Sequence, residues 1–230
     1  MTDQTTDAAS PVSVTRHGRV LLATMDDGRA NAVSTTLSDA LRTVIRQAES
    51  DPDVGAVVIA GRSGRFSGGF DLGVIRGGDA AAVRAMVDGG GALVAEAYGA
   101  GVPVVAACTG HAVAAGALIL LGCDHRVGPD ADVKIGLNEV AIGLTLPDWA
   151  LAIAAERLSR RHLQASVVNA QLYNGSGAVA AGFLDRVVAP DAVIETALEH
   201  AAVLAELDPA AYAATVQALR GPTLARMITP

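Results

Sequence analysis

Arg65-Phe66-Ser67-Gly68-Gly69-Phe70-Asp71-Leu72 is the stretch on which the reading of this chain turns. Immediately upstream, Val54 to Ala60 is a continuous apolar run of strand length, the pattern of a strand buried on both faces. A glycine-rich loop, Gly61 to Gly69, follows that strand and presents Phe70-Asp71-Leu72. The arrangement then recurs. Pro103 opens a second buried strand, Val104 to Cys108, which leads through Thr109-Gly110-His111-Ala112-Val113-Ala114-Ala115-Gly116 into a short apolar helix, Ala114 to Gly122. Twice, therefore, a buried strand ends in a loop of small residues, where backbone N–H groups stay open to close approach by a ligand.

Outward from these segments the chain alternates strands and helices. Val12 to His17 and Arg19 to Thr24 read as two strands around a His17-Gly18 turn, and Met25-Asp26-Asp27-Gly28 as a turn-rich loop. Ser34 is placed to cap a helix to about Ser50, with Leu37, Leu41, Val44, Ile45 and Ala48 on one stripe, and Asp51-Pro52-Asp53 stops it. An Ala-rich helical pattern from about Asp79 to Tyr98 is expected to break at Gly89-Gly90-Gly91. Short strands are expected at Asp124 to Val127, Asp132 to Ile135 and Phe183 to Val188. Beyond Pro147 the pattern is mostly helical: Trp149 to Leu158, Arg160 to Gln171, a short segment around Gly175 to Gly182, then Asp191 to Leu207 and Pro209 to Leu219. Strand-strand-helix units recur without a fixed-period sequence repeat.

Composition narrows the function classes. A net charge of −7 argues against nucleic acid, which needs a basic footprint. Lys134 is the single lysine, so Schiff-base chemistry has one candidate amine. Cys108 and Cys123 sit in apolar surroundings and read as buried thiols of a reducing compartment. The polar Met1 to Ser10 reads as a flexible terminus without signal-peptide character, and the longest apolar run, Ala112 to Cys123, is too short for a bilayer. A cytoplasmic protein with no membrane partner is expected. No dinucleotide fingerprint, Walker A pattern or nucleophile elbow is present, and His17, His111, His125, His162 and His200 lie outside metal-ligand spacing, so no metal is expected.

Three segments in order carry a resemblance: Asn31-Ala32-Val33 before the first helix, Phe66 to Leu72 behind one buried strand, and Thr109 to Gly116 behind the next. They are similar to the crotonase (enoyl-CoA hydratase/isomerase) superfamily, whose signature loops read approximately F-[SA]-A-G-x-D-[LI] and N-G-x-A-x-G-G-G-x-x-[LI]. The likeness runs from about Val12 to Val188 and is strongest to short actinobacterial-type homologues with F-S-G-G-F-D-L and A-C-T-G-H-A. It implies an α/β fold: a spiral of repeated ββα units over residues 11–190 between a flexible terminus, 1–10, and a C-terminal helical region, 191–230, used for oligomerisation as a trimer or hexamer. The implied ligand is an acyl-CoA thioester, with coenzyme A carried by the substrate and no separate cofactor. By motif matching, the backbone N–H groups of Phe70 and Ala115 would form an oxyanion hole for a thioester enolate, and Glu139 would move protons. Substrate contacts are implied for Arg29, Ala30, Ala32, Ser67, Gly68, Gly69, Asp71, Leu72, Val113, Leu118, Asn138 and Ile142.

The match departs from the family pattern in two places. Ala114-Ala115-Gly116 stands where the family usually has three glycines, and Leu118 occupies a position that is Glu in hydratases, whereas Glu139 retains the second carboxylate. Hydration is described with two carboxylates around one water; moving a double bond from the 3- to the 2-position needs one proton shuttle. A raised pKa for Glu139 is expected from apolar neighbours such as Leu118 and Ile142; the bland reading is a solvated surface acid. Asp71 reads as a loop-fixing residue, Asp124 as a partner of local backbone donors and Trp149 as packing or acyl-pocket lining. His111, beside the second loop, is a weak candidate for a direct role. The rival function class is a non-catalytic acyl-CoA-binding homologue.

Overall fold

The computed structural model describes residues 10–228; the expected flexible stretch lies, except for Ser10, outside the described residues. Strands β1 (Val12–His17) and β2 (Val20–Met25) form an antiparallel hairpin about Gly18, whose φ of 61° suits glycine. Helix α1 (Thr35–Ser50) follows, capped by Ser34, whose side chain accepts the Leu37 N–H. The chain then winds through β3 (Ala56–Ala60) and β4 (Gly64–Ser67), helices α2 (Leu72–Gly77) and α3 (Ala80–Gly99), β5 (Val104–Ala107) and β6 (Gly110–Val113), α4 (Ala115–Gly122), β7 (His125–Pro129) and β8 (Ile135–Gly136). Each turn places one strand in a six-stranded sheet, order β1-β2-β3-β5-β7 and then β9 (Arg186–Val188), and the next in a three-stranded sheet, order β4-β6-β8. Apart from isolated bridges, the strands after the first hairpin pair in parallel among the described residues. This is the expected spiral of ββα units, closed by β9 (Arg186–Val188).

Alternation along β3, β5 and β7 divides the core in two. Val57, Ile59, Val104 and Ala106 face the main core with α1, α3 and α4, while Ala56, Val58, Ala60, Val105, Ala107 and Val127 face α8 (Val193–Leu204). Both faces are buried, which is why these strands read as unbroken apolar runs. Helix α4 is buried at every position. Cys108 and Cys123 lie in this interior, and burial pushes both thiols up to about 12, so they are inert packing residues at neutral pH.

Several expected boundaries shift. Helix α3 runs unbroken through Gly89-Gly90-Gly91, and two of these glycines, Gly90 and Gly91, lie where the Phe70 and Trp149 rings press on the helix. The stretch 160–171 holds only α6 (Leu163–Val167), between α5 (Asp148–Arg157) and α7 (Gly175–Ala181). Helix α9 (Pro209–Ile228) continues past Leu219 and through Pro222. Tertiary contacts override the local break: Thr223 and Met227 are buried, and Leu224 packs on Gly99.

The C-terminal helices pack part of their apolar surface within the chain. Helix α8 buries Val193, Ala197 and Ala201 on the large sheet, and α9 packs across α3 and α5. A part-buried pair fastens α9: Arg220 donates to Asp124 at 2.6 Å and to the Tyr98 carbonyl at 2.8 Å, and its guanidinium lies 4.8 Å from the centre of the Tyr98 ring. Asp124 also accepts from the Val104 N–H and the Tyr212 hydroxyl, so it partners side chains of α9 as well as local backbone. Val203 and Leu219 remain exposed. No helix among the described residues is long and apolar enough to cross a membrane.

Candidate active site

Loop 26–33 is organised by two side chains. Asp27 accepts the N–H groups of Arg29 (2.7 Å), Asn31 (2.8 Å) and Ala32 (2.8 Å). Burial alone would push its carboxyl up, but those three donors and the nearby Arg62 charge outweigh that and hold it below the ordinary carboxylate value. Asn31, fully buried with φ 51°, donates to the carbonyls of Met25 (3.0 Å) and Phe66 (3.1 Å) and accepts from the Asp27 N–H. Sequence reasoning gave neither residue a role. The available signal was Asp27-x-Arg29-x-Asn31, an Asx-type spacing in which one carboxylate collects successive backbone donors.

The second loop is laced to the first. The Ser67 hydroxyl donates to the Asn31 carbonyl at 2.7 Å and accepts the Gly69 N–H at 3.2 Å. The Gly68 N–H reaches the Ala30 carbonyl and the Val33 N–H reaches the Gly69 carbonyl, each at 2.8 Å. Phe70 is thus held in parallel register with Val33. Asp71 fixes the exit by accepting the Gly73 N–H at 2.7 Å, which caps α2 and agrees with a loop-fixing role.

The third loop meets the second at Gly69, which has φ 90°. A Cβ there would lie 2.8 Å from the Ala114 Cβ, 3.0 Å from the Val113 carbonyl oxygen and 3.5 Å from the Ala115 nitrogen. Gly116 packs as closely on Ser67. Ala114 stands at φ 51°, ψ −127°, a conformation that favours glycine, and turns the chain so that Ala115 opens α4. As a first-turn residue, Ala115 has no carbonyl four positions back within its helix, so its N–H is one of the helix's orphan donors. Phe70 and Ala115 therefore lie on two loops in direct contact.

Glu139 reaches the same region through β8: Val113 pairs with Gly136, and the Ala114 N–H donates to the Gly136 carbonyl at 3.0 Å. The Glu139 side chain is not a solvated surface acid, since only 7% of the residue is exposed. Burial pushes its pKa up, against the opposing pull of the N–H groups of Glu139 and Asn138. Its Oε2 and the Asn138 Oδ1 are buried without a hydrogen-bond partner among the described residues. A buried carboxyl oxygen with no protein partner is what a proton-transferring group requires if substrate is to supply the contact.

A cleft of about 430 Å³ runs along the first two loops, lined by Asp27, Arg29, Ala30, Ala32, Gly68 to Asp71, Leu72 and Gly73. Ser67 lies behind it, fully buried as a brace. Val113, Leu118, Asn138, Ile142 and Glu139 are outside its lining; Leu118 is core within α4, and Ile142 is half exposed on the turn after Glu139. Arg29 is exposed at the cleft, with its carbonyl held by the Arg62 guanidinium. His111 accepts the Lys134 N–H at 2.9 Å through Nδ1, so one ring nitrogen is engaged in fastening the 132–135 connection.

A sequence profile described as enoyl-CoA hydratase/isomerase matches residues 15–228. A Mycobacterium tuberculosis protein, described in one solved structure as an enoyl-CoA isomerase and in another as a probable enoyl-CoA hydratase, is 41% identical; the first structure has a TM-score of 0.87 over 95% of this chain and 94% of that one. Human mitochondrial delta3-delta2-enoyl-CoA isomerase is 25% identical, with a TM-score of 0.90 over 95% and 86% of the two chains. Carnitinyl-CoA dehydratase of Citrobacter koseri is 30% identical over 212 residues, covering 90% of this chain and 78% of that protein.

Proposed function

The chain belongs to the enoyl-CoA hydratase/isomerase family, and from that premise we propose that it binds an acyl-CoA thioester and moves a proton through a thioester enolate. The N–H groups of Phe70 and Ala115 are the two donors for the enolate oxygen, and the N-terminal end of α4 adds its positive dipole. Glu139 is the proton shuttle. With a 3-enoyl thioester, its carboxylate takes a proton from C2, the electron pair spreads over the dienolate, and the same proton returns at C4 to leave the 2-enoyl product. Nothing is oxidised, and no cofactor beyond the coenzyme A of the substrate takes part.

The observation that carries this reading is the buried Glu139 Oε2, without a hydrogen-bond partner among the described residues, three residues after Gly136, which pairs with the loop that holds Ala114. One carboxylate supports isomerisation better than hydration. At the position where family hydratases have a second Glu, this chain has Leu118, 1% exposed within an apolar helix. The name of the human relative lends further support, while the M. tuberculosis relative carries both names.

The test is Glu139→Gln, which keeps the shape and removes the base, assayed with 3-enoyl and 2-enoyl thioesters. Loss of isomerisation with acyl-CoA binding retained is the expected result. Leu118→Glu should raise hydration above that of the parent. Full isomerase activity in Glu139→Gln would end the shuttle assignment, and a parent that binds thioesters without turnover would favour the acyl-CoA-binding role.

A further inference from the structure

Strand β8 is two residues long and has different neighbours on its two edges. Along one edge the carbonyls of Lys134 and Gly136 accept the N–H groups of Ala112 and Ala114, each at 3.0 Å, which joins the strand to β6 and to the residue before Ala115. Because successive peptide groups of a strand point to opposite edges, Ile135 faces the other way. There its N–H and carbonyl both bond to the backbone of Tyr173, each at 2.9 Å. The chain just before Tyr173 lies close on the strand: a Cβ on Gly136 would meet the Gln171 carbonyl oxygen at 3.0 Å. The Tyr173 side chain is anchored in turn. Its hydroxyl lies 3.0 Å from the Ser166 hydroxyl and 3.5 Å from Nδ1 of His162, on α6 and its N-terminal cap, and both Tyr173 and Ser166 are buried. The chemistry proposed above uses none of these three side chains.

We propose that Tyr173 is a positioning residue for Glu139: anchored through its hydroxyl on Ser166, it fixes the edge of β8 away from β6 and so the place and burial of the Glu139 carboxyl. This rests on the reading of Glu139 as the proton shuttle. The chain reaches Glu139 from β8 through Leu137, which is fully buried, so the connection is packed and passes a shift of the strand onward. A two-residue strand has few ladder bonds, and both of those made by Ile135 go to Tyr173. Tyr173→Phe keeps the ring but leaves the Ser166 hydroxyl buried without its partner, which favours repacking of that segment. Burial is what pushes the Glu139 pKa up, so a looser β8 that admits water lets it fall toward the ordinary carboxylate value. Displacement of the carboxyl by part of an ångström costs about 10-fold or more in kcat, with KM little changed because the proposed thioester donors lie on other loops.

The experiment follows the Glu139 carboxyl directly, by carbon NMR titration of the full chain with isotope-labelled glutamate, the signal being assigned by its loss in Glu139→Gln. Isomerase kinetics with a 3-enoyl thioester are measured alongside. Tyr173→Phe is expected to lower the Glu139 pKa and to reduce kcat by about 10-fold or more, with KM within about threefold. Ser166→Ala should act in the same direction, and the double variant should lose less than the sum of the two singles, since both belong to one contact. Val216→Ala, a cavity under the buried face of α9, is the control: stability falls and the Glu139 titration stays. A folded Tyr173→Phe with an unmoved Glu139 titration and unchanged kcat overturns the proposal, whatever its loss of stability. Should that variant not fold, an unmoved titration in Ser166→Ala overturns it equally. Full activity in Glu139→Gln would end the shuttle reading, and the titrations would still decide the anchor.

Discussion

Gly69→Ala is the most demanding test of the loop contact. The native φ of 90° lies where an L-residue is disfavoured by about 1–2 kcal/mol, so part of the effect is backbone strain alone. The added methyl would also sit 2.8 Å from the Ala114 Cβ, and ordinary contact requires the two loops to separate by nearly 1 Å. Overpacking of this kind costs about 1–3 kcal/mol, for a combined destabilisation of about 2–5 kcal/mol. The functional effect is separate: a shift of about 1 Å between the proposed Phe70 and Ala115 donors should cost about 100-fold in kcat. Gly64→Ala is the control, because Gly64 shares the positive φ (75°) but has open space around its Cβ position. It should show the strain without loss of activity. Urea unfolding gives the stability term, and isomerase turnover at saturating 3-enoyl thioester gives the kinetic one. A folded Gly69→Ala with kcat within threefold of the parent would refute the idea that close loop contact sets the donor geometry.

Three further outcomes are expected. Because burial raises the Glu139 pKa, its base form is depleted as pH falls through a value above 4.5, and the acid limb of the kcat/KM profile should lie above that of an ordinary carboxylate and vanish in Glu139→Gln. Arg220→Met leaves the part-buried Asp124 without its cation and should cost about 1–3 kcal/mol in unfolding free energy, with α9 losing amide protection first in hydrogen exchange. Light scattering at micromolar concentration should give a multiple of the 23.2 kDa chain mass, a trimer or hexamer; a monomer would remove the assembly expectation.

Where backbone and burial follow from local pattern, the amino-acid order alone was sufficient. The apolar runs Val54 to Ala60 and Val104 to Cys108 announce strands covered on both faces, because a continuous run has no polar side to present to water. The stripe of α1 and its Ser34 cap were equally legible, as were the two small-residue loops, which carry the family likeness in a few adjacent positions. What could not be read was any property that depends on a partner distant in the chain. Gly89-Gly90-Gly91 is a helix breaker by local propensity, yet α3 is continuous there, with Phe70 packed on Gly90 and Trp149 of α5 on Gly91. Pro222 is likewise overruled by the packing of Leu224 on Gly99. Glu139 could be placed by motif, but only the tertiary structure decided that it is buried, with one carboxyl oxygen lacking a partner among the described residues, rather than solvated, because desolvation is set by everything packed around a group and not by its neighbours in sequence.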